Sequence, residues 1–443
     1  MAPIIRRSNV NTENGSTNAN SATNSSSNRM RTSRQHATTS KADNAKHQPV
    51  VTCLLASLLI SFLIFCFVSV KVAVETMYAV ENSEDKVTGA THSFLTVILP
   101  SVVNPKGRLE RLKAIADSWG PSANALYVVH SDEEIPSTIS WGDSLYSVES
   151  NAPKLFPAIF HVPSDITVEQ GVERLIHVMK TIVEAGPPDF VFFANDHTFI
   201  IPEHLCFFMQ DLSPEDDVYL GHALGESNRL KYGFNSGASG YVLSRNSLRK
   251  LVAALDAQKP QCSTTNSGSK WLAGNPGILT AACLGETLET PPIDTRNGDG
   301  EHLFHAFGLA RVVTGQVDQW YINKHKNLYF RKDGDTIDDH LPHGEHCCSA
   351  RTISFHYVEY SETRQLFAAR NYIAEASSMG HPLSDKRIGK WLDDNWPERR
   401  KLGGYAHNVP ASGTDERRQF ISVLRKISTG RDKLPLQCRK LVG

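Results

Sequence analysis

The sequence predicts an α/β protein with a largely parallel central sheet, preceded by a single transmembrane helix. Three observations carry that prediction. Strand-like and helix-like stretches alternate from residue 93 onward, one strand ("DFVFFANDH") is an apolar run that stops at polar residues, and residues 50–70 contain no charge. At 443 residues, 40% hydrophobic and 21% charged, the chain can bury one large core or two smaller ones. Its formal net charge of -1 gives no support to nucleic-acid binding, which normally needs a basic excess.

Residues 1–48 hold eight Asn, eight Ser and six Thr, with almost no large apolar side chains. Such a segment cannot bury enough surface to offset chain entropy, so a disordered tail is expected. Residues 50–70, "VVTCLLASLLISFLIFCFVSV", are long enough to cross about 30 Å of hydrocarbon as a helix. A signal peptide would be shorter and would start near residue 1. Arg6, Arg7, Arg29, Arg31, Arg34, Lys41 and Lys46 precede the span, whereas Lys71 and Lys86 follow it among acidic residues. The positive-inside bias therefore keeps the tail cytosolic and places everything after about residue 71 in a lumen or outside the cell. The sequons at Asn14 and Asn24 fall on the cytosolic side and stay unmodified. Residues 71–92 read as a polar luminal stem.

Cys53 and Cys66 belong to the membrane helix. The others, Cys206, Cys262, Cys283, Cys347, Cys348 and Cys438, are expected in an oxidising compartment, where disulfides form. Six cysteines admit many pairings and spacing does not choose among them. No CxxC pair points to a thiolate metal site.

From residue 93, "SFLTVILP" reads as a strand and "KGRLERLKAIADSWG" as an amphipathic helix. "ALYVVHSD" is a strand ending in Ser131 and Asp132; "VEQGVERLIHVMKTIVEAG" is a long helix; "DFVFFANDH" is a buried strand ending in Asn195, Asp196 and His197. That β-α-β-α-β order implies a parallel sheet with crossover helices, in which ligands bind beyond the carboxyl ends of the strands. No GxxxxGKS or GxGxxG loop follows the first strand, so a P-loop or dinucleotide site is not expected. "EDDVYLGHAL" reads as a short strand. Gly233, Gly237 and Gly240 then make a tight segment before a helix capped near Ser244 or Asn246. These glycines either shape a turn or let the backbone approach a ligand. "YSETRQLFAARNYIAEASS" (360–378) reads as a helix. Beyond it, eleven Lys or Arg between 391 and 440 are interrupted by acidic residues, the pattern of a solvated surface.

Six blocks carry a likeness: "DFVFFANDHTFIIPEHL", "VYLGHAL", "NSGASGYVLSRNSLRKL", "CLGETLE", "DTRNGDGEHLFHAF" and "CCSARTISFHYVEY". In order and content they resemble glycosyltransferase family 31, and within it the core 1 β1,3-galactosyltransferases, type II Golgi enzymes that add galactose to O-linked N-acetylgalactosamine. The likeness covers roughly residues 93–360, with "CCS…SFHYV" its most specific block. It implies a GT-A (Rossmann-like) catalytic-type domain over 93–365, a C-terminal extension over 366–443, a UDP-sugar donor, a glycoprotein acceptor, Mn²⁺ as the divalent metal, and inversion at the anomeric carbon. A Golgi membrane location, with the C-terminal domain luminal, follows from the same resemblance. Homo- and hetero-oligomers both stay open.

The resemblance also assigns roles. A cation at the strand end neutralises the diphosphate charge that grows as the glycosidic bond breaks. The family's Asp-x-Asp aligns with Asn195 and His197, and its second metal ligand with His356, so the implied metal set is Asn195, Asp196, His197 and His356. Asp196 is the carboxylate expected to compensate for Asn195, a neutral oxygen donor. Imidazole suits Mn²⁺ or Zn²⁺, and the polypeptide N-acetylgalactosaminyltransferases use a related Asp-x-His. Trp320 and Tyr357 match aromatic positions near the sugar sites, alongside Ser131, Asp132, Gly237 and Gly240 as donor or acceptor contacts. The general base of the family aligns with Pro276 and Gly277, neither of which accepts a proton. Asp294, Asp299, Glu286 and Glu301 lie just downstream, and Asp294 is the expected substitute. Two functions therefore stand: an active β1,3-glycosyltransferase with rearranged ligands, or a catalytically impaired relative acting as a chaperone or binding module for a related transferase.

Overall fold

The structure, a computed structural model, describes residues 92–101, 107–130, 159–167, 170–226, 230–263, 275–329, 341–396 and 409–439. The expected tail, the 50–70 helix with Cys53 and Cys66, nearly all of the stem, and Ser131 with Asp132 lie outside these residues. Among the described residues no helix is long and apolar enough to cross a membrane.

The first half follows the sequence pattern: β1 (Phe94–Leu99), α1 (Arg108–Ala116), β2 (Ala125–His130), β3 (Ile159–Val162), α2 (Gly171–Glu184) and β4 (Phe190–Asn195). Val172, Leu175, Val178, Met179 and Ile182 recur at helical spacing along α2 and are buried, as an amphipathic crossover helix requires. Phe190 to Ala194 are all buried, so β4 is covered on both faces. Next come β5 (Phe199–Ile200), α3 (Pro202–Met209), β6 (Tyr219–Gly221), β7 (Ala223–Leu224), β8 (Phe234–Asn235), β9 (Tyr241–Ser244) and α4 (Arg245–Asp256). The α4 cap is Ser244, whose side chain accepts a hydrogen bond from the Ser247 amide.

The last third contains α5 (Pro276–Ala281) running into a π-helical turn at Ala282–Thr287, β10 (Ile293–Asp294), β11 (Phe304–His305), α6 (Leu309–Thr314) and α7 (Gln319–Tyr329). It closes with β12 (Ser354–Phe355), α8 (Tyr360–Ser378), α9 (Asp385–Asn395), α10 (Asp415–Ser428) and α11 (Leu436–Arg439).

A seven-stranded sheet in the order β10-β6-β9-β4-β1-β2-β3 forms the centre. β1 pairs in parallel with β4 from Phe94–Phe190 to Leu99–Asn195, and with β2 on its other side. Strand β9 is the exception, antiparallel to both β4 and β6. The result is the mixed but largely parallel sheet that a GT-A-like fold requires. β3, an added edge strand before α2, was not expected from the sequence. A second sheet, β11-β12-β5, lies at the carboxyl end of β4, because β5 begins four residues after Asn195.

The boundary expected between 365 and 366 falls inside α8, and the described residues on both sides of it belong to one compact unit. Leu366, Ile373, Ile388, Leu392, Phe420 and Leu424 share a hydrophobic cluster with Ile98, Phe190 and Phe192. Arg370 on α8 pairs at 2.7 Å with Glu203 on α3, and both side chains are almost fully buried. Burial alone would raise the Glu203 carboxyl, but the Arg370 guanidinium overrides it and holds the pKa at about 2. Arg417 is likewise buried and bonded to Asp393 at 2.7 Å, so the mixed-charge segment is not all solvated surface. Three disulfides, Cys206–Cys438, Cys262–Cys283 and the adjacent pair Cys347–Cys348, close the six described cysteines. The first ties α11 to α3.

Candidate active site

The polar corner after β4 is built from an Asx turn. The Asn195 side-chain Oδ1 accepts from the His197 amide at 2.9 Å and from Thr198 Oγ1 at 3.1 Å, while the Thr198 amide donates to the Asn195 carbonyl at 3.1 Å. A backbone N–H can only donate, so these bonds fix the amide orientation and turn Asn195 Nδ2 outward. There it meets His356 Nε2 at 3.2 Å. His356 Nε2 therefore accepts, and its proton resides on Nδ1. His356 follows β12 directly, and the Val358 amide donates to the His197 carbonyl at 2.9 Å, locking the two segments together. The His197 and His356 rings lie 6.3 Å apart, edge to face. His197 Nδ1 is 3.7 Å from the Glu359 carboxylate. Burial, reinforced by the neighbouring His197 and opposed by the Ala306 backbone, lowers the His356 pKa to about 3, so this ring is neutral at physiological pH.

Asp196 stands apart from this group. Its Oδ1 accepts from the Ser101 amide at 2.7 Å and its Oδ2 from Arg111 Nε at 2.8 Å, with both charged side chains essentially inaccessible. The triplet is thus split: Asn195 and His197 gather around His356, and Asp196 braces the corner against β1 and α1. The compensating role expected of Asp196 does not match where its carboxylate is held.

Aromatic residues adjoin the histidines. The Tyr357 ring lies 3.9 Å from that of His356 and stacks on Phe307 at 5.9 Å and 23°; Phe307 in turn lies 6.2 Å from Trp320. Tyr357 adopts φ 58°, a left-handed conformation costly for an aromatic residue, which tertiary packing must impose. Trp320 is 43% exposed, with Nε1 donating to Asp318 at 3.2 Å. An indole ring this open is a surface on which a sugar can stack.

The two candidate glycines part ways. A Cβ on Gly240, where φ is +84°, would lie 2.1 Å from Phe192 Cζ, so this glycine admits the β4 core and needs no ligand to explain it. Gly237 has nothing closer than 3.9 Å, and Thr198 Oγ1 lies 2.9 Å from the Ala238 carbonyl, bringing the glycine segment to the corner.

Among the base candidates, Asp294 ends β10, but Arg296 engages it through Nε, 3.1 Å from both oxygens, and through Nη2 at 2.7 Å. Glu286 accepts from the Lys231 amide at 2.7 Å; Glu301 binds Lys426 and Asn297; Asp299 is exposed. Pro276 and Gly277 form the first turn of α5, capped by Asn275 Oδ1 on the Ile278 amide at 3.2 Å.

No protein-family model matches the chain. Glycoprotein-N-acetylgalactosamine 3-beta-galactosyltransferase 1 of Xenopus laevis, a curated relative, is 25% identical over 207 residues, 44% of this chain and 50% of the relative. The chain is similar to the family 31 galactosyltransferases. It spans about half the length of the curated relative it matches. The likeness holds at the level of the family.

The implied cation does not fit the donors present. Among the described residues no group of three or more His, Cys, Asp or Glu side chains is placed to hold a metal ion. The His356 Nε2 lone pair and the Asn195 oxygen are both engaged within the protein, and Asp196 is held by Arg111. Four contributors carry no signal of their own in the sequence: Thr198, Phe307 and Glu359 lie in blocks that carry the family likeness, and Arg111 lies in the amphipathic helix α1.

Proposed function

We propose that this domain is an inverting hexosyltransferase that moves a sugar, galactose by resemblance, from a UDP-sugar to N-acetylgalactosamine on glycoproteins. The observation that supports it is the convergence of Asn195, His197 and His356 where β4 and β12 end, from which ring contacts run through Tyr357 and the buried Phe307 to the open Trp320. The carboxyl end of the sheet is where nucleotides bind in such folds. Trp320 offers its face to a pyranose ring, and Tyr357 shapes the floor next to His356. An inverting transfer needs one group to take the acceptor hydroxyl's proton. At this corner His197 is suited to that step, since the Glu359 carboxylate beside it can stabilise the imidazolium that forms. The uncharged stretch at 50–70 and the basic residues before it support a type II anchor with the domain luminal, and the family resemblance supports a Golgi membrane as its place.

A second reading, a non-catalytic relative that serves as a chaperone or binding module, is favoured by two observations. Pro276 and Gly277 occupy a helix turn where the resemblance places the base, and Asp294 is tied to Arg296.

The purified full-length chain, incubated with UDP-galactose and a peptide bearing N-acetylgalactosamine on serine, should transfer galactose, and His356→Ala should lose at least about a hundredfold in rate. Equal background from both proteins, with UDP-glucose, UDP-N-acetylglucosamine and UDP-N-acetylgalactosamine tried as well, selects the non-catalytic reading.

A further inference from the structure

A cation joining the ends of β4 and β12 would need two things: the Nε2 lone pair of His356 and an oxygen from residue 195. The chain uses both internally. Nε2 accepts from Asn195 Nδ2 at 3.2 Å, while Asn195 Oδ1 accepts from the His197 amide at 2.9 Å and from Thr198 Oγ1 at 3.1 Å. The side of Asn195 that faces His356 therefore presents N–H hydrogens, the positive end of a dipole, where a metal requires a lone pair. Rotating the amide to present its oxygen would set Nδ2 against the His197 N–H, donor against donor, and give up the bond that amide now makes. The neighbouring carboxylate cannot stand in, since Asp196 is clamped on the far side by Ser101 and Arg111 at 2.7 and 2.8 Å.

We propose that this corner works without a divalent cation, and that the Asn195–His356 hydrogen bond makes the link between the two strand ends that a bridging metal would otherwise make. The proposal rests on reading the corner as the donor site of a glycosyltransferase. It differs from that reading in one property, the cofactor. The imidazole keeps the position that a metal ligand would have, but its lone pair is spent on an amide of this same chain.

One change separates the two designs. In Asn195→Asp the carboxylate keeps one oxygen on the His197 amide and turns the other, a charged acceptor, toward His356. A cation can then bridge carboxylate and imidazole. The test is Mn²⁺ uptake by the full-length chain, followed by the loss of the free-ion electron paramagnetic resonance signal, with UDP calorimetry run in EDTA and in Mn²⁺ as a separate arm. The wild type should leave the free-ion signal unchanged, whereas Asn195→Asp should take up Mn²⁺ at least about tenfold more tightly. UDP should bind the wild type equally in EDTA and in Mn²⁺.

Stoichiometric Mn²⁺ uptake by the wild type overturns the proposal, as does UDP binding that requires Mn²⁺. So does a variant that binds Mn²⁺ no better than the wild type, because the hydrogen bond would then not be what excludes the metal. If UDP fails to bind under either condition, the glycosyltransferase reading falls, and the resonance arm still decides the metal question.

Discussion

His305 ends β11 and His356 directly follows its partner strand β12, yet they belong to different parts of the molecule. His305 is in register with Phe355, and the two rings stack at 4.8 Å on one face of the small sheet. His356 comes one residue later, so strand alternation sends it to the other face, where it meets Asn195. His305 has company on its own side: His222 and His302 lie 4.7 Å apart, and His302 lies 6.4 Å from His305. In that nest His222 bonds the Phe304 carbonyl at 2.8 Å and the Tyr321 hydroxyl at 2.6 Å, and His305 reaches the Thr352 hydroxyl at 3.3 Å. The nest is a set of struts, bonded to backbone and hydroxyls. The corner has instead a carboxylate and an outward amide. Histidine content therefore does not mark a functional site; the partners of each ring do.

The largest effect should come from the strut that braces the corner itself. Asp196→Ala leaves the Arg111 guanidinium, 1% exposed, without its carboxylate, and should cost about 3–5 kcal/mol in denaturant unfolding. Asn195→Ala removes three neutral hydrogen bonds at the partly exposed rim, where water can replace some of them, and should cost less than Asp196→Ala, about 1–3 kcal/mol, while impairing UDP binding. Equal costs for the two would erase the distinction between brace and rim.

The two glycines sharpen it further. Gly240→Ala forces a Cβ to within 2.1 Å of Phe192 at φ +84°, and should lose about 1–3 kcal/mol from the backbone alone. Gly237→Ala meets nothing within 3.9 Å and should stay within about 0.5 kcal/mol of wild type. A loss of UDP affinity in Gly237→Ala at unchanged melting temperature would place this glycine on the ligand side.

How much of this was legible in advance follows from the range of the interactions. β1, α2 and β4 announced themselves because long apolar runs and 3.6-residue spacing are local properties. The two-residue strands β5, β11 and β12 did not, because pairing with distant chain defines them, and these are the strands that bring His356 to Asn195. The last segment was read as solvated from its charges, although Phe420, Val423, Leu424 and Ile427 carry a helical stripe that the structure buries. Asp196 was grouped with its neighbours, where alternation along a strand end points it away from them.

A pH titration gives the next largest effect. His356 at the corner, held at about 3 by burial, adds to the same slope, so substitution within the nest is what isolates the nest's share. Burial lowers the pKa of His222 to about 4, that of His305 to about 3, and pushes His302 well below its ordinary 6.5. Above 6.5 both folded and unfolded chains hold these rings neutral. As pH falls below 6.5 the unfolded chain takes up protons that the folded chain refuses, so stability drops through the window from 6.5 to about 4. His305→Phe keeps the stack on Phe355, removes one refused proton, and should flatten the slope by up to about 1.4 kcal/mol per pH unit. Melting temperatures at pH 7.5 and pH 5 measure it, and an unchanged slope would mean that the nest takes up protons without unfolding.

Trp320 should give the smallest stability change and the clearest functional one. At 43% exposure its ring contributes little to folding, and Trp320→Ala should stay within about 0.5 kcal/mol of wild type. A strut residue would lose stability and function together, because its effect on the site passes through the fold. A stacking platform loses only the contact with the sugar, worth roughly 0.5–1.5 kcal/mol by analogy with ring pairs, or several-fold in KM for the acceptor or donor. Trp320→Phe keeps an aromatic face and should restore most of that loss. If Trp320→Ala transfers sugar with wild-type KM, the shelf formed by Tyr357 and Phe307 ends short of the ligand, and the open indole belongs to the surface rather than to the site.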